Sequence, residues 1–340
     1  MKAIFLVRTG EGKEAFETRE TPIPIPGHGE VVIKVEAFGL NYADVMARRG
    51  LYKAAPPIPS VLGYDVAGTI YSLGEGTTGV STGQRVAALT RFGGYAEYAV
   101  TQASAIIPLP DTMTMPLATS LATQASTAVF SSIFATRIYS GDRVLIHAAA
   151  GGVGTILVQL AKAKGCIVYG FASALKHDYL KDIGVDYVFD SHASDPWTKL
   201  VTHLSADKLD VVFDNIGGLS FKKGLQLLGP GGRIIAYGAA AQNRGNKSSQ
   251  LNNMRVGLGF GFHSPIGLIV KSQSIIGVNM LSLADNKPMV LKEVMEEVSR
   301  LAKSGIIRPV LGKEFPADRI GEAHDFLESR NSTGKIALSW

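Results

Sequence analysis

The stretch that most constrains the fold runs from Val144 to Gly154 and reads V-L-I-H-A-A-A-G-G-V-G. Val144, Leu145 and Ile146 form the short apolar run of a strand buried on both faces. Small residues follow directly, and then the apolar-periodic segment Val153 to Ala163. A strand, a tight turn and a helix are therefore expected in succession. Backbone N–H groups at the start of such a helix lack intrahelical partners and carry partial positive charge, so a pyrophosphate binds there if no side chain blocks it. Ala148, Gly151 and Gly154 give that clearance in an A-x-x-G-x-x-G spacing, with alanine where the dinucleotide fingerprint usually has its first glycine. A second strand-like run, Ile167 to Phe171, comes one helix later and completes a βαβ unit. Glycine clusters also mark ordinary turns, and it is the strand–turn–helix setting that selects dinucleotide binding here.

The remaining chain sorts around this unit. Strand-like runs at Val144–Ile146, Ile167–Phe171, Tyr187–Phe189, Val211–Phe213, Arg233–Tyr237 and Ile275–Met280 mostly alternate with helical segments, the pattern of a doubly wound six-stranded parallel sheet. Upstream, the runs Ala3–Val7, Val31–Ala37, Asp65–Leu73, Gln84–Leu89 and Tyr95–Val100 are separated by turn clusters. They predict a β-rich domain, a small irregular barrel. Helical spacing holds from Pro116 to Ala135, and the chain closes with helical patterns at Leu291–Lys303 and Ile320–Leu327 and a strand at Lys335–Leu338. The expected domains are residues 1–122 with 282–340, and residues 123–281. Between Gly238 and Ser274 lies a long insertion, polar over Gln242–Asn253 and apolar afterwards. It reads as a lid or ligand-contacting element, or as a mobile surface excursion.

Composition narrows the function classes. The 34 basic and 29 acidic residues are interspersed without a basic run or a basic–aromatic stripe, which argues against nucleic-acid binding. Cys166 is the only cysteine, so neither an internal disulfide nor a cysteine-rich zinc site can form, and its place beside an apolar strand suggests an inert buried thiol. The N-terminal residues enter a strand-like run at once with no signal-peptide pattern, so a cytoplasmic location is expected. The apolar window Val256–Val270 is interrupted by Gly257, Gly259, Gly261, His263 and Pro265 and is too short to span a bilayer.

Cofactor choice is read at the end of the second strand. NAD-preferring folds place an acid there for the ribose 2′-OH, whereas NADP enzymes offer a cation. The segment Phe171-Ala172-Ser173-Ala174-Leu175-Lys176-His177 has no carboxylate, and Ser173 with Lys176 suits a 2′-phosphate; the alternative is that Lys176 is a solvent-facing helix lysine. Asn215 after the fourth strand, and Tyr237 with Gly238 after the fifth, stand at carboxyl ends of strands where ligands bind, or make plain turns.

Several separated segments carry a family resemblance. They are Gly39 to Tyr52, Gly63-Tyr64-Asp65-Val66-Ala67-Gly68, His147 to Gly154, Phe171 to His177, and Pro265 to Leu281. Over essentially its whole length the chain resembles the medium-chain dehydrogenase/reductase superfamily. Within it, the chain is similar to the zinc-independent quinone oxidoreductase branch that includes zeta-crystallin, and especially to the synaptic vesicle amine transport protein homologue subgroup. The resemblance implies an α/β chain built of a GroES-like β-rich catalytic domain and a Rossmann six-stranded parallel sheet. It implies NADPH held by Gln124, Thr127, Ala149, Gly151, Gly152, Val153, Gly154, Ser173, Lys176, Ser191, Asn215, Tyr237, Gly238 and Asn279. Ser191 stands where many relatives carry a phosphate-contacting tyrosine, and Ala125 where relatives often have an aromatic residue.

Zinc alcohol dehydrogenases of that superfamily bind a catalytic metal through a Cys, a His and a third ligand. The resemblance places Asn41 and Tyr64 at the first two of these positions. A carboxamide and a phenol are poor zinc ligands, so no metal is expected and the chemistry must suit hydride delivery without a Lewis acid. Conjugated acceptors meet that requirement, because the charge that develops is delocalised onto oxygen and hydrogen-bond donors suffice. Asn41, Tyr52 and Tyr64 are the candidates for that work, with loop-holding or core packing as their structural alternative. The leading expectation is an NADPH-dependent reductase of quinones or α,β-unsaturated carbonyls. The competing one is a nucleotide-binding membrane- or protein-interaction protein with little catalysis, which the resembled subgroup leaves open although the sequence itself does not call for a membrane. The apolar edge Ile275, Ile276, Val278 and Met280 predicts a homodimer through residues 274–280.

Overall fold

The computed structural model describes residues 1–243 and 250–340, without the side chains of residues 250–253 and 255. The chain divides into two units, Met1–Ser126 with Met280–Trp340, and Thr127–Asn279.

The second unit is built on a six-stranded parallel sheet. Its strands are Arg143–His147, Ile167–Ala172, Tyr187–Asp190, Leu209–Asp214, Leu228–Ala236 and Ser274–Gly277. Val144, Leu145, Ile146, Val211, Val212 and Phe213 are all fully buried, which explains why these strands read as continuous apolar runs rather than alternating ones. The strands lie in the order third, second, first, fourth, fifth, sixth. The order therefore reverses at the first and fourth strands, which pair in register at Leu145 with Val212 and at Ile146 with Phe213. Ligands bind outside the carboxyl ends of strands at such a reversal. His147 and Asp214 are the last residues of those two strands.

Two expectations about this sheet are corrected. The fifth strand ends at Ala236, so Tyr237 opens the following loop. The sixth spans only Ser274–Gly277: Val278 still donates to the Ala236 carbonyl at 2.9 Å, and the chain then turns, so that Met280 begins the helix Met280–Asn286. The insertion is also not the loop expected. It holds a short turn at Ala240–Asn243 and helices at Gln250–Phe260 and Pro265–Lys271, while residues 244–249 of its polar part lie outside the described residues. Glycines weaken a helical reading, but here close packing requires one of them. A Cβ on Gly259 would sit 2.8 Å from Gly218 Cα, and the neighbouring Phe260 ring packs on Phe221 at 5.1 Å. Ser264 caps the second helix by accepting the Gly267 N–H at 3.0 Å.

The first unit holds a three-stranded antiparallel sheet of Phe16–Glu20, Lys2–Leu6 and Ser60–Val61, and a seven-stranded mixed sheet. In the mixed sheet the long strand Glu30–Leu40 pairs with Asp65–Leu73 along one side. On its other side it pairs first with Tyr98–Gln102 and then with Lys335–Ser339. Bulges after Val32 and Val35 bend it so that it changes partners midway. The expected barrel is not closed by strand pairing: among the described residues the mixed sheet is an open path with one branch. Ile4, Leu6, Ile33, Phe38, Leu40, Val66, Ile70 and Leu338 form its core.

Helical structure runs from Met115 to Phe134, with wider π turns at Leu121–Ala125 and Phe130–Phe134. The first π turn has a visible cause. The Thr123 N–H donates to Asp65 Oδ1 at 2.8 Å, and a carboxylate that takes a backbone donor disrupts the regular helical ladder.

Candidate functional site

The helix Gly152–Ala163 begins after Gly151, and the N–H groups of Gly152, Val153 and Gly154 have no intrahelical acceptor. Ala148 sits at φ 49°, the left-handed region that favours glycine, at the position where the fingerprint expects one. It is held there because Ala149 N–H donates to Phe171 O at 3.1 Å and Gly151 N–H to Ala148 O at 2.8 Å. A Cβ on Gly154 would lie 2.3 Å from Ala148 O and 2.8 Å from Ala149 Cα, so the helix start packs directly on the turn.

Beside this turn the sheet reversal carries a polar network that sequence reasoning did not single out. Ser220 Oγ donates to Asp214 Oδ2 at 3.0 Å and lies 3.2 Å from His147 Nε2. With its one hydrogen given to Asp214, Ser220 can only accept from His147, so the imidazole is the tautomer protonated at Nε2. Burial holds the His147 pKa below the usual histidine range, against the opposing pull of the Asp214 charge. Asp214 Oδ1 in turn accepts from Ile216 N at 2.6 Å and Gly217 N at 2.9 Å, which fixes the loop carrying Asn215. Gly238 is required by the approach of that loop, since a Cβ there would lie 2.8 Å from Asn215 O. Asn215 Oδ1 and Tyr237 Oη are buried with no hydrogen-bond partner among the described residues. Burial, followed by the Asp214 charge, raises the Tyr237 phenol above its ordinary pKa, so it remains a donor.

At the end of the second strand, Ser173 precedes the short turn Ala174–Lys176 and accepts the Lys176 N–H through its carbonyl at 3.0 Å. Lys176 is half-buried, and that burial lowers its pKa. Ser191 is exposed, with its N–H on Ala172 O at 2.8 Å, which ties the third-strand end to the same tip. A carboxylate stands one strand away: Asp190 is paired in register with Ala172 and accepts the His192 N–H at 3.0 Å. His177 Nε2 and Tyr179 Oη, on the next helix, are further buried polar atoms with no partner among the described residues. Thr127 is buried and Asn279 exposed.

In the first unit, Asn41 precedes the helix Tyr42–Arg48 and gives its N–H to Asp44 Oδ2 at 2.8 Å. Its carboxamide is engaged at both ends. Nδ2 donates to Asp65 Oδ2 at 2.7 Å, and Oδ1 accepts from Lys335 Nζ at 3.1 Å. Lys335 also bonds Asp65 Oδ2 directly, and neither residue has any solvent exposure. Tyr64 is buried, edge-to-face with the half-buried Tyr52 at 6.4 Å between ring centroids and 5.0 Å from the Phe92 ring. The Tyr64 hydroxyl has no hydrogen-bond partner among the described residues. Burial raises both phenols, and the Asp44 charge adds to this at Tyr64, so both are hydrogen-bond donors throughout the physiological range. Gln124 is buried on the π turn with Oε1 unpartnered among the described residues, and Ala125 beside it is fully buried. Sequence reasoning missed Asp65 and Lys335 as parts of this constellation; a lysine opening an apolar terminal strand was the available signal.

Among the described residues, only Glu11, Asp325 and Glu328 group closely enough to offer three ligand atoms to a metal. They are engaged by guanidinium groups: Arg49 Nη1 lies 2.8 Å from Glu11, Arg49 Nε 2.8 Å from Glu328, and Arg48 Nη1 2.9 Å from Asp325. Cys166 is buried against the Tyr139 carbonyl at 3.3 Å, and burial pushes its thiol up to about 11, as suits an inert residue.

Comparison with known proteins gives a consistent set of matches. Residues 27–111 match the alcohol dehydrogenase GroES-like domain, and residues 183–338 match a zinc-binding dehydrogenase domain. The synaptic vesicle membrane protein VAT-1 homolog of Homo sapiens is 31% identical over 337 residues, covering 98% of this chain and 85% of that protein. The quinone oxidoreductase of Rattus norvegicus is 31% identical over 346 residues, covering 99% and 97%. Among solved structures, mycobacterial Rv1454c complexed with NADPH superposes with a TM-score of 0.85 at 29% identity, over 100% of both chains.

Proposed function

The chain belongs to the medium-chain dehydrogenase/reductase superfamily of oxidoreductases, and on that premise we propose that it is an NADPH-dependent, zinc-independent reductase of quinones or α,β-unsaturated carbonyls. The observation that carries this reading is the chemistry at Asn41 and Tyr64: a carboxamide and a buried phenol whose hydroxyl lacks a hydrogen-bond partner among the described residues. Neither is a competent zinc ligand, and both are donors suited to an oxygen that gains negative charge.

The second unit fits a nicotinamide dinucleotide. The turn at Ala148–Gly154 leaves a cradle that a Cβ at position 154 would fill, and Asn215 Oδ1 and Tyr237 Oη are buried polar atoms without partners among the described residues. Gly151, Gly152, Val153 and Gly154 would hold the pyrophosphate, and Ser173, Lys176 and Ser191 the 2′-phosphate. The bound, reduced nicotinamide supplies a hydride. Tyr64 and Tyr52 donate hydrogen bonds to the acceptor oxygen, and Asn41 presents its remaining Nδ2 hydrogen. With a conjugated acceptor the developing charge is spread over the enolate or hydroquinone framework, so these neutral donors suffice where a simple ketone would need a metal.

The test is NADPH oxidation with a panel of small quinones and enones, together with the affinities of NADPH and NADH. Turnover of at least one conjugated acceptor is expected, with NADPH bound more tightly than NADH by about tenfold or more. Tight NADPH binding without turnover across the panel defeats the reductase, and NADH binding of comparable strength defeats the cofactor assignment.

We also propose a homodimer through residues 274–280. Among the described residues the strand Ser274–Gly277 pairs with Leu228–Ala236 on one side only, and the preceding helix exposes Ile266, Ile269 and Val270. Sedimentation is expected to give a dimer at micromolar concentration, and a monomer refutes it. No described helix is long and apolar enough to cross a membrane, and a cytoplasmic location is part of this reading. Flotation with liposomes mediated by those same exposed residues would favour the interaction-protein reading instead.

A further inference from the structure

We infer that Lys335 is a positioning residue for the acceptor site: with Asp65 it locks the Asn41 carboxamide in one orientation and ties it to the turn that carries Gln124. This rests on the reading that Asn41 and Gln124 serve a nicotinamide-linked reduction. The strand Lys335–Ser339 pairs antiparallel with Glu30–Leu40 at Ile336 with Leu40, so the next position along sets Lys335 against Asn41. Gly39 makes the space: a Cβ there would lie 2.1 Å from Lys335 Cε and 2.8 Å from Nζ.

An asparagine carboxamide held at one end can rotate and exchange its oxygen for its nitrogen. Asn41 cannot do so. Its Oδ1 faces a residue that only donates, at 3.1 Å, and its Nδ2 faces a carboxylate that only accepts, at 2.7 Å. One Nδ2 hydrogen is left over, in a fixed direction. The other oxygen of Asp65 takes the Thr123 N–H at 2.8 Å, which makes the π turn and sets where Gln124 stands. Lys335 also neutralises Asp65, so the Asn41 donor is not backed by an uncompensated negative charge that would oppose charge on an acceptor oxygen. A buried ion pair of this kind is weak evidence for stability, since apolar residues of similar volume often serve a core as well. A role in orienting Asn41 accounts for its presence at zero exposure.

The experiment compares the wild-type chain with Gly39→Ala, which crowds the Lys335 stem and leaves Asn41 and Asp65 intact, and with the double variant Asp65→Asn/Lys335→Met, which removes both charges together. Folding is checked by circular dichroism. The Asn41 side-chain amide is followed by ¹⁵N NMR, and kcat and KM are measured for the acceptor. In the folded variants the two Asn41 amide protons are expected to move towards the shifts of an unconstrained asparagine and to lose their slow exchange with water. In parallel, kcat falls by about 30-fold, with a smaller change in KM. Unchanged Asn41 amide signals in a folded variant overturn the inference whatever the rate does, and so does a kcat within about threefold of wild type. If the wild-type chain reduces no quinone or enone, the reductase reading fails, while the NMR comparison still decides whether Lys335 locks Asn41.

Discussion

Valine in place of Gly154 is expected to lower the affinity for the proposed cofactor, NADPH, by about 100-fold or more. The first atom of any side chain at this position would lie 2.3 Å from Ala148 O and 2.8 Å from both Ala149 Cα and Ala149 O. All three are backbone atoms, so no flexible side chain can yield. The turn itself has little slack, because Ala148 already occupies the left-handed region at φ 49° and Ala149 is tied to Phe171 O at 3.1 Å. The helix start must therefore back away and carry its unpaired N–H groups out of reach of a pyrophosphate. Calorimetric titration with NADPH measures the loss, and far-ultraviolet circular dichroism shows that the secondary structure still forms. Gly257→Ala serves as the control, since a Cβ there meets nothing within 4 Å, and its affinity should match the wild type. A Gly154→Val variant that binds NADPH within about threefold of wild type would show that the pyrophosphate lies elsewhere.

The nucleotide-binding half was legible because burial and close approach write themselves into residue type. A parallel strand covered on both faces must be apolar throughout, as at Val144–Ile146, and a helix start packed on a turn must be small, as at Gly154. Residue type says less at Gly259, which lies within the helix Gln250–Phe260. Gly259 is a packing glycine against Gly218, indistinguishable by composition from a loop glycine. The polar constellations were less legible because their members are distant in sequence and meet only through strand pairing. Asp65, Thr123 and Lys335 come from three separate elements, and no local spacing announces that one carboxylate joins the other two to Asn41. His147, Asp214 and Ser220 were hidden in the same way, since only the reversal of strand order sets the first and fourth strands side by side. Shorter strands such as Ser60–Val61 and Ile106–Pro108 carry too few residues to show a period.

The second large effect is expected from Asp44→Asn, as a stability change that depends on pH. Asp44 has no solvent exposure, and burial pushes its pKa up to about 7. The Asn41 N–H and the Lys335 charge pull the other way, and the Asp65 charge adds to the rise. The folded chain therefore keeps this proton through a range in which the unfolded chain, with an ordinary aspartate pKa, has released it. Stability tied to that proton is complete below pH of about 4 and is lost as pH rises towards 7, a decrease on the order of 4 kcal/mol. His324, 3.2 Å from the Tyr95 hydroxyl, works in the opposite sense: burial, and then the Arg48 charge, hold it neutral when folded. Its contribution is present above the usual histidine pKa and is lost as pH falls below it, and buried His147 acts alike. The two slopes oppose each other between pH of about 4 and 6.5, and the wild-type profile is flattened there. Asparagine keeps an acceptor for the Asn41 N–H and removes only the titrating group. Urea unfolding at a series of pH values should therefore give a variant that matches the wild type near pH 4 and exceeds it by roughly 3 to 4 kcal/mol at pH 8, with the histidine slope exposed between. A difference between the two proteins that does not change with pH would mean that Asp44 is ionised in the folded chain. The charge at Asp44, which helps keep the Tyr64 phenol protonated, would then be a permanent feature of the proposed acceptor site rather than one that appears only above neutrality.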